Sequence, residues 1–142
     1  MVLKYWYSSS GLENRLNVKR ILLVTDDFVL TEELTFFLRH SGFQVATAIG
    51  SRELIAEMER GSPDLILIHE NNHRLNGDDL CIRMRELSDA PIIVIGQAQE
   101  EAAGVEMLEK GADAYLTSPL SFRELLARVR SLLRRTRASQ EA

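Results

Sequence analysis

Three short, uninterrupted apolar runs constrain this chain more than anything else in it: Ile21-Leu-Leu-Val, Leu65-Ile-Leu-Ile and Ile92-Ile-Val-Ile. A strand with one wet face alternates apolar and polar residues, whereas a strand covered on both faces does not. Runs of this kind therefore belong to a parallel sheet sandwiched between helices. Two weaker β-rich segments complete the set, so strands are predicted at Ile21 to Thr25, Phe43 to Thr47, Leu65 to His69, Ile92 to Ile95 and Ala114 to Thr117. Between and after them lie longer segments whose apolar residues recur at three and four, the helical period. This alternation predicts an α/β domain of the (βα)5 type, a doubly wound five-stranded parallel sheet.

The first helix is expected to bury Leu30, Leu34, Phe37 and Leu38 and to stop at Gly42, where a residue without Cβ adopts the left-handed C-terminal conformation. Gly61 and Gly111 punctuate the second and fourth helices in the same way. Ser121 with Glu124 three residues later forms a capping box for the last helix, and Leu125, Leu126, Val129, Leu132 and Leu133 keep helical spacing behind it.

With 142 residues, 45% hydrophobic and 27% charged, the chain holds one core that needs neither disulfides nor metals, and has no room for a second domain. The domain is expected over residues 20–135. Residues 1–19, including Tyr5-Trp6-Tyr7 and Ser8-Ser9-Ser10-Gly11, read as a flexible extension, and 136–142 as a linker stub. A net charge of −4 argues against direct nucleic-acid binding, which calls for a basic surface. Cys81 is alone, no apolar stretch approaches the length of a membrane span, and the N-terminus does not read as a secretory signal, so a cytoplasmic protein without a membrane partner is expected.

In an open parallel sheet, function gathers at the carboxyl ends of the strands, where neighbouring loops converge on a crevice. That places the candidates at Thr25, Asp26, Asp27, His69, Glu70, Gly96, Gln97, Thr117 and Ser118.

From Arg20 to Arg135 the chain resembles the receiver domain of two-component response regulators, which has a flavodoxin-like fold. Ile21-Leu-Leu-Val-Thr-Asp-Asp is similar to that family's first strand and acidic turn, and Pro63-Asp-Leu-Ile-Leu-Ile-His to its third strand. Asn76-Gly77 falls at its Asp-Gly turn, and Pro91-Ile-Ile-Val-Ile-Gly resembles its fourth strand. The run from Gly111 to Arg135 is similar in particular to the OmpR/PhoB-like subfamily, whose receivers precede a winged-helix DNA-binding domain.

Forming an aspartyl phosphate takes a nucleophilic carboxylate, a divalent cation held by further carboxylates, and hydroxyl or cationic groups that spread the developing charge. The resemblance puts His69 at the phosphoacceptor position, where an imidazole offers no acyl phosphate. It puts Thr25 and Asp26 at the metal-binding acidic pair, Gly96 at the phosphoryl-sensing hydroxyl, Ser118 at the lysine before a proline, and Tyr115 at the switch aromatic. Mg²⁺ wants oxygen ligands in octahedral geometry, so its binding is expected to be weak or absent, and no other cofactor is implied. These departures describe a pseudo-receiver, a scaffold that keeps its shape and lacks its trigger.

Several sharper readings compete with plainer ones. Glu70 as a substitute acceptor sits one residue out of phase, which on a strand means the opposite face; a solvent-facing loop carboxylate is the plainer reading. His69 beside Asp26 suggests a pH sensor with a raised pKa, against a hydrogen-bonded imidazole filling the acceptor's space. His40 and His73 read as surface residues, and a metal site from His69, His73 and Asp26 has little support.

The expected function is a non-enzymatic signalling module, working by homodimerisation through the fourth helix, fifth strand and fifth helix, to regulate a DNA-binding output domain or partner protein. Asp113, Glu124 and Arg128 match positions of the subfamily's ion-pair network, although Ala114 replaces one acidic member. An alternative from another class is a conventional Mg²⁺-dependent receiver that phosphorylates itself on Asp26, Asp27 or Glu70. A small-molecule binder has less behind it, since the chain has neither a P-loop nor a Gly-x-Gly-x-x-Gly turn.

Overall fold

The three continuous apolar runs occupy the interior of one sheet. Arg20–Val24 (β1), Leu65–His69 (β3) and Ile92–Gly96 (β4) are central, with Gln44–Ala48 (β2) and Ala114–Thr117 (β5) at the edges. All neighbouring pairs are parallel, in the order β2-β1-β3-β4-β5. Every residue of β3 and β4 is buried, whereas the edge strands mix buried with partly or fully exposed positions. The computed structural model describes residues 18–70, 77–97 and 101–141.

Five helices cover the sheet: Phe28–His40 (α1), Ser51–Arg60 (α2), Gly77–Leu87 (α3), Glu101–Glu109 (α4) and Phe122–Glu141 (α5). Strand alternation sorts the core into two layers. Ile21, Leu23, Leu65, Leu67, Ile93 and Ile95 meet Leu34 and Leu38 of α1 and Leu125, Val129 and Leu132 of α5. Leu22, Val24, Ile66, Ile68, Ile92 and Val94 face the other way, onto Leu54 of α2, Leu80, Cys81 and Met84 of α3 and Met107 of α4. Leu30, Phe37 and Leu133 flank the first layer, partly buried. Gly42, Gly61 and Gly111 have φ of 99°, 152° and 113°, as expected of chain reversals after helices.

Four elements differ in their bounds from the sequence expectation, β4 by running one residue further, to Gly96. β1 and β2 each sit one residue off, starting at Arg20 and Gln44. Arg20 joins the sheet because its N–H donates to the Asp64 carboxylate at 2.7 Å, while its guanidinium reaches Gly61 O at 2.7 Å and Glu57 at 2.8 Å. α5 continues to Glu141, through most of the segment read as a linker stub. Residues 134–141 contain no Gly or Pro to stop it, so backbone hydrogen bonding carries the helix past the end of its buried stripe. The extension with Tyr5-Trp6-Tyr7 lies outside the described residues, apart from Val18 and Lys19; Lys19 O accepts from Gln44 N at 3.0 Å.

The strand order reverses between β1 and β3, because β1 leads outward to β2 while β3 leads to β4. Loops leaving the carboxyl ends of these two strands diverge and leave a crevice between them. Thr25 and His69 stand at that point.

Candidate functional site at the strand ends

Thr25 and His69 are the buried polar residues among those described, 2% and 5% exposed. Thr25 Oγ1 lies 3.0 Å from His69 Nδ1 and accepts a second hydrogen bond from the Asp27 N–H at 3.1 Å. With the amide supplying one proton to the oxygen, the Thr25 hydroxyl proton is available to Nδ1. The hydroxyl can donate to a bare Nδ1, with the ring proton on Nε2, or accept from a protonated Nδ1 through its second lone pair.

The electrostatics agree with a neutral ring. Burial lowers the His69 pKa below its ordinary 6.5, outweighing the opposing pull of the Asp27 and Asp26 charges. This corrects the pH-sensor expectation, which weighed the neighbouring carboxylate and omitted desolvation. The hydrogen-bonded imidazole, the plainer reading of His69, matches the geometry.

Asp27 is the N-cap of α1. Its backbone is extended (φ −84°, ψ 108°), and its Oδ1 accepts from Leu30 N at 3.0 Å, satisfying an amide the helix leaves open. Asp26 is half-buried between Thr25 and this cap. Glu70 follows β3 directly, its N–H donating to Ile95 O at 2.8 Å. It is half-buried, more enclosed than a solvent-facing loop carboxylate, and alternation puts it on the face opposite His69. Gln97 is exposed and Thr117 half-buried.

These donors do not fit Mg²⁺. An octahedral oxygen site would have to form from the Asp26 carboxylate together with a hydroxyl already engaged twice, an imidazole and a carboxylate that caps a helix. Among the described residues no three His, Cys, Asp or Glu side chains group as metal ligands. His73 lies outside the described residues, as does Asn76. His40 is exposed and stacks on Phe36 with centroids 4.0 Å apart.

On the far side of the crevice, Gly96 ends β4, and Ser118 N donates to its carbonyl at 3.0 Å. Ser118 is half-buried and precedes Pro119 through a cis peptide bond. The Tyr115 ring occupies the space a side chain at position 96 would need: an ideal Cβ there would overlap the phenol and lie 2.7 Å from Cε2. Gly104, inside α4, meets the ring from the other side, 3.2 Å from its would-be Cβ to Cδ1. Sequence reasoning missed Gly104. The available signal was a glycine in a helix interior, which costs about 1 kcal/mol against Ala and so asks for a packing reason.

Of the interface candidates, Asp113 is engaged within the chain. Its Oδ2 accepts from Arg85 Nη2 at 3.1 Å and from Ile92 N at 2.8 Å. Arg85, which sequence reasoning also missed, further donates to Ala90 O and Gly111 O, each at 2.9 Å. Glu124 takes part in the α5 cap through its N–H, which donates to Ser121 Oγ at 3.2 Å, and its side chain is exposed, as is that of Arg128. Val105 and Leu108 of α4 are also exposed.

A doubly wound sheet in the order 2-1-3-4-5, with its polar cluster at the β1/β3 switch point, defines a class of α/β domain that carries function at its strand ends. Within that class, the model of the response regulator receiver domain matches residues 21–130, and the chain belongs to that family. It is 36% identical over 122 residues to the sensory transduction protein RegX3 of Mycolicibacterium smegmatis, covering 86% of this chain and 54% of that protein. It is 38% identical over 117 residues to the DNA-binding response regulator MtrA of Mycolicibacterium paratuberculosis, covering 82% and 52%. The chain thus spans about half the length of these curated relatives. Among solved structures, a CheY-like receiver domain from Methanospirillum hungatei superposes with a TM-score of 0.79 at 26% identity, covering 87% of this chain and 99% of that one. No helix among the described residues is long and apolar enough to cross a membrane.

Proposed function

We propose that this receiver domain is a pseudo-receiver that signals without phosphorylation and without enzymatic activity of its own. It associates as a homodimer through α4, β5 and α5, and the dimer holds DNA-binding output domains at a fixed spacing. The observation that carries the first part is the buried His69 imidazole at the resembled acceptor position, 3.0 Å from the Thr25 hydroxyl. An isologous dimer requires one patch to bear both apolar surface and charges of both signs. Val105 and Leu108 of α4 are exposed, as are Glu124 and Arg128 of α5, so the two helices offer apolar surface and both signs of charge for such a contact.

The test is incubation with acetyl phosphate or beryllofluoride in the presence and absence of Mg²⁺, followed by intact mass measurement and sedimentation analysis. No Mg²⁺-dependent adduct and an unchanged dimer are expected. A stoichiometric phosphoryl adduct on Asp26, Asp27 or Glu70 would overturn the phosphorylation-independent reading, and a monomer at all concentrations would overturn the dimer.

A further inference from the structure

We propose that Gly96 and Gly104 form a clamp that holds the Tyr115 ring inward beneath α4, keeping the α4 and β5 surface in a single state that requires no chemical signal. The clamp itself stands on packing; only its consequence for association rests on the dimer reading above.

Register and alternation set up the contact. Tyr115 pairs with Val94 across the β4/β5 ladder, and Gly96 pairs with Thr117 two residues further on. Residues 94, 96 and 115 therefore share the face that α4 covers, where Tyr115 packs against the second core layer. A strand side chain leans along its strand, which brings the phenol over position 96. Any Cβ at that position would coincide with the end of the ring. On the opposite flank the Gly104 backbone approaches the ring edge, with Cε1 and Cγ each 3.9 Å from a would-be Cβ and Cδ1 at 3.2 Å.

The two sides differ in what they tolerate, and that difference makes the idea testable. At Gly96 a single methyl group removes the ring's place, and because a phenol is the movable end of its side chain, the expected response is an outward rotamer. At Gly104 a methyl group needs only a shift of a few tenths of an ångström. Gly96→Ala should thus expose Tyr115, whereas Gly104→Ala should leave it enclosed. No ligand or covalent modification enters the scheme. The ring position follows from the absence of a side chain at one residue.

Nitration of Tyr115 by tetranitromethane, mapped by mass spectrometry of its peptide, reads the ring directly. Slow modification is expected in the folded wild type relative to the urea-unfolded chain, several-fold faster modification in Gly96→Ala, and near-wild-type rates in Gly104→Ala. A folded Gly96→Ala protein with unchanged Tyr115 reactivity would overturn the clamp. If that variant does not fold, the wild type still decides: a Tyr115 as reactive folded as unfolded overturns the proposal. Sedimentation of the same samples separates the two readings. A monomer with slow nitration supports the clamp and removes the dimer, and a dimer with fast nitration does the reverse.

Discussion

Thr25 and His69, 44 residues apart in sequence, meet at 3.0 Å between hydroxyl oxygen and imidazole nitrogen, closing the point where the sheet changes direction. Strand pairing brings them together: Val24 stands beside Ile68, and each polar residue is the next one along. The pair is buried, so its hydrogen bond has no ready substitute in water.

Removing the hydroxyl should therefore be costly. Thr25→Val keeps the shape and leaves the His69 nitrogen and the Asp27 amide without their partner, at about 1–3 kcal/mol for a buried unsatisfied group. A urea unfolding midpoint lowered in Thr25→Val and restored in Thr25→Ser is the expected result.

Stability should also fall with acid in a way that belongs to His69. Burial sets the folded-state pKa below 6.5, so the unfolded chain takes up the proton first. The contribution is present in full above the unfolded value and is lost as pH falls from there through the lowered folded value. Urea midpoints between pH 7.5 and 5 should decline more in the wild type than in His69→Gln. Parallel curves would count against a lowered His69 pKa.

The α1 cap offers an independent measurement. Asp27→Ala deletes the acceptor for the Leu30 amide and should destabilise the domain by about 0.5–2 kcal/mol, while Asp27→Ser or Asp27→Asn should recover most of it. Thermal melts of the three variants would order them.

Arg85 spans Ala90, Gly111 and Asp113, tying the end of α3 to the chain entering β4 and β5. Its ion pair with Asp113 is partly exposed, with side chains 31% and 38% accessible, and contributes under about 1 kcal/mol by itself. The carbonyl contacts and the Ile92 amide raise the stakes. Arg85→Ala and Asp113→Ala should each cost about 1–2 kcal/mol. A double-mutant cycle should show coupling of about 0.5–1 kcal/mol, because the two residues share one network. If Asp113 instead served only a dimer contact, its substitution would shift association and spare the monomer's stability.

The architecture was legible because two-sided burial leaves a mark that one-sided burial does not: β1, β3 and β4 are uninterrupted apolar runs, and the structure puts those three in the middle of the sheet. The cap at Asp27 and the reversals at Gly42, Gly61 and Gly111 depend on neighbours within a few residues; the glycine reversals could be read in advance. Edge boundaries were less so, since Arg20 joins β1 through Asp64, Gly61 and Glu57, far along the chain.

The sequence by itself determined which residues reach the strand ends, including that His69 brings an imidazole there, because strand position along the chain and side-chain alternation are written in apolar periodicity. Only the tertiary structure decided which way the pKa of that imidazole moves, since desolvation comes from packing around it and outweighs Asp26 and Asp27, which are distant in sequence and near only in space. Tertiary structure likewise decided that a glycine ending β4 and a glycine inside α4 enclose one tyrosine. A missing side chain leaves no pattern of its own, and its meaning is the neighbour that fills the space.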